Sequence, residues 1–399
     1  MNVLVLNSGS SSIKFQLFNM TTEEVVMKGL IERVGLPDSI ISYSVRGGDK
    51  KKEVMTIHNH KDGLKKVLDI LIDPKENIIK SFKEINAAGH RYVHGGEKYK
   101  KSTLITKEIV TELEALNHLA PLHNPPNLTG VLAMMELMPD VPNVAVFDTS
   151  FHSQMPEKAY MYALPYEMYE KEGIRRYGFH GTSHQYVAQE AAKMLGKPFE
   201  TCKIVTCHMG NGTSYSAVMD GHSVDTSLGY STMCGIPMGT RAGDVDAGII
   251  THLLKTGQYS VDQMHDILYK KSGMLGISGI SSDARDVEDA AWNKGNKRAQ
   301  LALDLITYNA KKYIGGYIAA MNGADAIVFT AGIGENGWEA REAICEDMDF
   351  LGISIDKEKN KSRGKKVDVS AAHARVKVLV VPTNEELMIA IETKTILSK

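Results

Sequence analysis

The segment Val3-Leu4-Val5-Leu6-Asn7-Ser8-Gly9-Ser10-Ser11-Ser12-Ile13-Lys14-Phe15 joins an apolar run to a tract of small polar residues. Apolar alternation then resumes at Ile13, Phe15 and Leu17. The pattern predicts a buried strand, a polar hairpin tip and a second strand carrying Lys14. A hairpin needs only about two turn residues. The longer tip, Asn7–Ser12, therefore offers surplus backbone amides and hydroxyls, a setting that suits an anion.

The same pattern recurs some two hundred residues later. Lys203-Ile204-Val205-Thr206-Cys207 leads into His208-Met209-Gly210-Asn211-Gly212-Thr213-Ser214, and Tyr215–Val218 comes next with a turn at Asp220-Gly221. Aligning Gly9 with Gly210 sets Ser12 against Thr213. The implied organisation is a duplicated unit, one phosphate-sized hairpin tip in each of two lobes. Further strands are expected at Val144–Phe147, Ala326–Phe329 and Val376–Val381. Helical faces are expected at Leu64, Val67, Leu68 and Leu71, and at Leu301, Leu305 and Tyr308. Alternating strands and helices indicate an α/β architecture. With no low-complexity linker, the hinge is expected just after Asp148.

Charge and cysteine content exclude several classes. Lys and Arg number 46 against 48 Asp and Glu, so no basic surface for nucleic acid is expected. Cys202, Cys207, Cys234 and Cys345 form no Cys-x-x-Cys pair, and the N-terminus lacks signal-peptide character. No apolar run reaches the ~18 residues that span a bilayer. Reduced thiols in the cytoplasm, away from any membrane, are the expectation.

No P-loop sequence occurs. A lone Gly-x-Gly-x-x-Gly stands at Gly332–Gly337, with Asp356 nineteen residues beyond, as in a dinucleotide site. The competing reading is a strand-to-helix turn on which adenosine rests, and the two hairpin units favour it, since a dehydrogenase has no use for them. Two tips and such a turn describe a nucleoside triphosphate with its Mg²⁺. Thr383-Asn384-Glu385-Glu386 reads as a capped helix start after a strand, with Glu385 available to the metal.

On the reacting side, four charge sites stand out, three of them flanked by glycine: Gly89–Gly96 around Arg91, Phe147–His152 around Asp148 (just past a buried strand), Arg175–His184 around His180, and Met238–Asp244 around Arg241. In the third, Thr182 or Ser183 is the expected helix cap. His90/His94 and His180/His184 have a zinc-like spacing but lack a third ligand.

These stretches, with Asp225–Gly229, Ser281–Asp286 and Thr330–Gly337, resemble the acetokinase family along the whole chain. The resemblance implies a duplicated ribonuclease-H-like fold of the actin, Hsp70 and sugar-kinase type, with ATP in an interlobe cleft. It implies an N-terminal lobe over 1–150, completed by a C-terminal helix over 386–399, and a nucleotide-binding lobe over 151–385. The implied reaction is reversible in-line phosphoryl transfer from ATP to acetate. Asn7 and Glu385 match the Mg²⁺ site, where Mn²⁺ can substitute. Lys14 matches a nucleotide contact, and Arg91 with Val93 the carboxylate site. Asp148, His180 and Arg241 match catalytic positions. His208, Met209, Gly210, Asn211 and Gly212 match the phosphate loop. Asp283, Ala284, Arg285, Ala331, Gly332, Ile333, Gly334 and Glu335 match adenosine contacts. A homodimer is also implied.

One segment departs from the family. Ser231-Thr232-Met233-Cys234-Gly235 stands where the family carries Thr-Pro-Leu-Glu-Gly. Acyl chain length therefore stays open between acetate, propionate and butyrate. A non-kinase ATPase module of the same fold is the alternative from another class.

Overall fold

The computed structural model describes residues 1–398, which divide into two compact units. The first spans Met1–Phe151 and resumes at Asn384; the second spans His152–Thr383.

The first unit carries strands β1 (Asn2–Ser8), β2 (Ser12–Asn19), β3 (Glu24–Glu32), β4 (Ser39–Val45), β5 (Lys51–Met55), β6 (Ile85–Tyr92), β7 (Thr103–Leu104) and β8 (Asn143–Phe147). They form one sheet in the order β5-β4-β3-β2-β1-β6-β8-β7. β1 pairs antiparallel with β2 and parallel with β6, which is parallel to β8. Strands β1 and β8 are almost wholly buried, as continuous apolar runs in a parallel centre require. The helix His60–Leu71 buries Leu64, Val67, Leu68 and Leu71, the face its periodicity predicts. The terminal helix Glu385–Leu397 packs on β1, β6 and β8. Gly89 makes that approach possible, because a Cβ there would run into Thr393 and Ile389.

The second unit repeats the plan with β9 (Lys203–Met209), β10 (Thr213–Met219), β11 (His222–Thr226), β12 (Ala326–Thr330), β13 (Val367–Asp368) and β14 (Lys377–Val380). Their order, β11-β10-β9-β12-β14-β13, matches β3-β2-β1-β6-β8-β7 strand for strand. Parallel and antiparallel pairings match as well. The duplication read from two hairpins thus extends through six strands. At the β10–β11 turn, Asp220 and Gly221 both have positive φ (55° and 79°), the conformation a tight two-residue hairpin demands.

Two local expectations need correction. The helix Gly181–Leu195 is not capped by Thr182 or Ser183; its cap position is His180, at φ 57°. The Ser183 hydroxyl is instead engaged with His208 and Thr383. In the helix Lys297–Ala320, Leu301 and Tyr308 are exposed. The buried face carries Ala299, Ala302, Ala310, Ile314 and Tyr317. Small alanines let the helix lie close on its neighbours, which outweighs the bulkier stripe.

Candidate functional site

In both units the polar candidates gather at the carboxyl ends of the central parallel strands, where open α/β sheets leave their crevice. In the first unit Asn7 closes β1, Arg91 closes β6, and Asp148 comes directly after β8. Asp148 is buried, and its carboxylate accepts two hydrogen bonds from one edge of Arg91: Nε to Oδ1 at 3.0 Å and Nη2 to Oδ2 at 2.7 Å. Burial pulls Arg91 toward neutrality. The Asp148 charge and hydrogen bonds, with Glu385 and Glu386 beyond, outweigh it and hold the guanidinium firmly protonated.

Glu385 begins the terminal helix, where the dipole favours an acid. Its pKa is raised by burial, which Arg91 partly offsets, and Asp148 and Glu386 add like charge. Its carboxylate has no hydrogen-bond or ion-pair partner among the described residues. An under-compensated carboxylate and the Asn7 amide are hard oxygen donors of the kind Mg²⁺ prefers. Among the described residues no group of three His, Cys, Asp or Glu side chains converges as a metal site. Lys14 forms an ion pair with Glu386, an acid to which the sequence pattern alone assigns no role. Val93 is buried just past β6, its amide donating to Asn127 Oδ1 at 3.1 Å.

In the second unit the Met209–Thr213 tip is tightened by Gly210 N donating to Gly212 O at 3.1 Å. His180 and Arg241 both close on Gly212: a Cβ there would lie 3.4 Å from the imidazole and 3.7 Å from Arg241 Nη1. The His180 ring stacks on His208 at 4.3 Å between centroids. Arg241 donates from Nη1 to the Thr232 carbonyl at 3.0 Å and has no carboxylate partner among the described residues. Burial lowers its pKa below the usual guanidinium value, an environment that favours a bound anion.

A groove of about 650 Å³ leads away from the tip, walled by Gly210, Asn211, Asp283, Ala284, Gly332 and Ile333, among others. Arg285 donates from Nε and Nη2 to Asp283 at 3.0 and 2.6 Å. These hydrogen bonds hold the Asp283 carboxyl down to about 2. The glycine motif does not form a pyrophosphate turn: Ala331–Asn336 is helix immediately after β12. Asp356 caps a short helix at Lys357. Gly334 and Glu335 face inward. Glu335 accepts from Ala331 N and Thr383 N at 2.9 and 3.0 Å, tying the helix start to the chain after β14.

Arg341 was not legible in the sequence. It is fully buried and donates to the Gly334, Asn360 and Ser362 carbonyls and to Asn360 Oδ1 at 2.6–2.8 Å. Nothing separates it in sequence from the exposed charges of an amphipathic helix. The zinc-like pairs lead elsewhere. His90 Nε2 meets Asn143 Oδ1 at 2.7 Å, and the two nitrogens of His184 meet Thr206 and Ser214, each at 2.7 Å. In the departing segment, the Thr232 carbonyl holds Arg241, Gly235 N donates to Asp244, and Cys234 is half-buried with its thiol pushed up by burial.

The chain is similar to known proteins along its whole length. A protein named acetate kinase from Caldanaerobacter subterraneus subsp. tengcongensis is 54% identical over 394 residues, 99% of this chain and 98% of that one. The crystal structure of Porphyromonas gingivalis acetate kinase superposes with a TM-score of 0.95 at 47% identity, covering 99% of each chain. A propionate kinase from Francisella tularensis subsp. tularensis superposes at 0.91 with 38% identity, again over 99% of each. Two copies of one strand order, the cation-lined tip and a family match over residues 2–391 lead to one assignment: the chain belongs to the acetokinase family.

Proposed function

We propose that this chain transfers the γ-phosphoryl group of ATP directly to acetate, reversibly, giving acetyl phosphate and ADP. The carrying observation is Arg241: partly buried, without a carboxylate partner among the described residues, and set with His180 against the bare backbone of Gly212.

Phosphoryl transfer asks a protein to align two oxygens about phosphorus and to stabilise equatorial charge. Here both reactants are anions. Two like unit charges about 4 Å apart repel by about 4 kcal/mol at an effective dielectric of 20. Cations on each reactant answer that repulsion. Asp148 holds the Nε–Nη2 edge of Arg91, which leaves Nη1 to hold the acetate carboxylate. Acetate is already ionised at neutral pH, so no general base is needed, and Asp148 orients Arg91. Arg241 and His180 donate to the transferring group while the Met209–Thr213 tip cradles the phosphates and the groove takes the nucleoside. Asn7 and Glu385 would hold Mg²⁺ or Mn²⁺, which when bound neutralises phosphate charge.

We assign the working form to a cytoplasmic homodimer that binds no nucleic acid. Four free cysteines support the compartment and the near-neutral charge balance the lack of nucleic acid, while the homodimer rests on the family resemblance. Hydroxylamine trapping of the acyl phosphate with two- to four-carbon acids tests the whole reading. Acetate should give the highest kcat/KM. ATP hydrolysis indifferent to every acid would overturn the kinase assignment, and a preference for propionate would move it within the family.

A further inference from the structure

The duplicated plan gives each unit one helix lying on its central strands. In the first unit it is Glu385–Leu397, on β1 and β6; in the second it is Gly181–Leu195, on β9 and β12. The two helices start differently. Glu385 and Glu386 place acids in the first turn of one, whereas the first turn of the other holds none. A helix N-terminus carries about half a positive charge. The first unit brings carboxylates to that charge, and the second leaves it unanswered.

Gly181, Thr182 and Ser183 are buried, and their three amides donate to no acceptor among the described residues. His180, the cap residue, contributes no side-chain hydrogen bond to them. The Ser183 hydroxyl is taken, lying 2.8 Å from both His208 Nδ1 and Thr383 Oγ1. Thr182 differs: it is 3% exposed, and its hydroxyl has no hydrogen-bond partner among the described residues. A helical threonine commonly turns its hydroxyl back to a carbonyl one turn earlier. Here the Phe179 carbonyl lies 3.0 Å from His152 Nε2 instead. Each Cα–Cβ bond in a helix tilts toward the N-terminus, so the Thr182 side chain leans over the free amides. Buried amides and hydroxyls are paired in native proteins, and four donors gathered at one helix end call for an anionic acceptor.

We propose that these three amides and Thr182 Oγ1 form an oxyanion hole for the transferring phosphoryl group. The hole begins directly beyond His180, whose ring closes on Gly212 of the phosphate tip. His180 is only half-buried, which leaves a way in past it. Its φ of 57°, followed by helical residues, alternates left- and right-handed backbone, a turn that points successive N–H groups at one anion. As an acetate oxygen bonds to phosphorus, the bond from phosphorus to the ADP oxygen breaks and its electron pair leaves with ADP. The other three phosphoryl oxygens stay negative throughout, and donors fixed in advance stabilise that charge without reorganising. The proposal rests on the kinase reading, which puts the phosphoryl group beside His180.

The test pairs Thr182→Val, which keeps the shape and removes the hydroxyl, with Thr182→Ser, which keeps the hydroxyl. Thr182→Val should lower kcat about tenfold or more while the KM for acetate holds, and Thr182→Ser should recover the rate. Because the hydroxyl has no partner among the described residues, its loss should leave the denaturant midpoint unchanged or raised. An unchanged kcat in Thr182→Val overturns the proposal, and so does a lowered midpoint, which would mean that the hydroxyl serves folding. ¹H–¹⁵N spectra of the full-length protein titrated with inorganic phosphate read the site without turnover. The Gly181, Thr182 and Ser183 amide signals should shift, and Thr182→Val should weaken the apparent affinity about tenfold. Unmoved signals in a chain that forms acyl phosphate sink the hole and spare the kinase reading. Shifting signals in a chain that phosphorylates no acid do the reverse.

Discussion

Asp148 takes one full edge of the Arg91 guanidinium, with Nε 3.0 Å from Oδ1 and Nη2 2.7 Å from Oδ2. The acid thereby fixes the plane in which the remaining N–H groups point. Asp148→Asn keeps the shape but replaces a charged acceptor with an amide that can return only one good acceptor. It should cut kcat/KM by roughly 10²–10³-fold, the cost of losing a preorganised charge contact. No new acidic limb should enter the pH–rate profile, because acetate brings no proton to remove. A new limb, seen by measuring kcat from pH 5 to 9, would make Asp148 a proton carrier.

Arg241 differs from Arg91 in having no acid to answer its charge among the described residues. A partly buried cation of this kind is destabilised in the free protein and stabilised when anionic charge develops beside it. Arg241→Ala should lower kcat by about 10²–10³-fold, with a smaller change in the KM for ATP. Arg241→Lys should recover little, since a single ammonium cannot both hold the Thr232 carbonyl and face the substrate. Steady-state kinetics in both directions measures the split.

Arg341 supports the wall of the groove beside Gly332 and Ile333 from behind. Its guanidinium binds the Gly334 carbonyl and, on its other side, Asn360 and Ser362. Burial lowers its pKa to about 10, yet it stays charged at neutral pH. Arg341→Met fills part of the space and orphans three buried carbonyls. It should cost about 3 kcal/mol or more in denaturant unfolding and raise the KM for ATP. A variant of unchanged midpoint would show that water replaces the guanidinium.

His90, beside Arg91 in the chain, gives stability a pH dependence. Burial lowers its pKa from 6.5 to about 4, against a small opposing effect from its Asn143 hydrogen bond. Between those values the unfolded chain binds a proton that the folded one refuses, so stability is full above about pH 6.5 and falls toward pH 4. The contribution of this one ring is roughly 3 kcal/mol. Unfolding midpoints taken from pH 7 to 4 should fall less steeply in His90→Gln than in the wild type.

Sequence pattern carried the strand–tip–strand unit because strand burial and a surplus polar tip are local properties. It carried the duplication only as far as Ser12 against Thr213. The remaining strand matches depend on pairings between segments far apart in sequence, such as β12 with β9. Arg91 and Asp148 were legible as charges at strand ends, and Asp148 as a group to orient either Arg91 or a metal-bound water; the choice between the two needed the ends of two strands brought together. Thr182 and Ser183 misled for a physical reason. Both are good caps in isolation, yet Ser183 is engaged by His208 and Thr383, and the turn into the helix is made by His180 in a left-handed conformation. Leu301 and Tyr308 misled because hydrophobic periodicity does not say which apolar stripe meets the core when a second, alanine-rich stripe packs closer.

Acyl chain length can be tested at particular residues. Val93 lies just past Arg91, is 5% exposed, and its amide is fixed by Asn127. If Arg91 holds the carboxylate as proposed, the two methyl groups of Val93 are the side-chain bulk whose removal tests how many carbons the acid can carry. Val93→Ala removes both, and a methylene in such a pocket is worth about 1–3 kcal/mol. The propionate-to-acetate ratio of kcat/KM should therefore rise about tenfold. Thr232→Pro is the control, because Thr232 acts through its carbonyl on Arg241 and proline keeps that carbonyl. It should leave the acid ratio unchanged. If Thr232→Pro moved the ratio and Val93→Ala did not, the departing segment, and not Val93, would set the chain length, and hydroxylamine trapping across the three acids reads that difference directly.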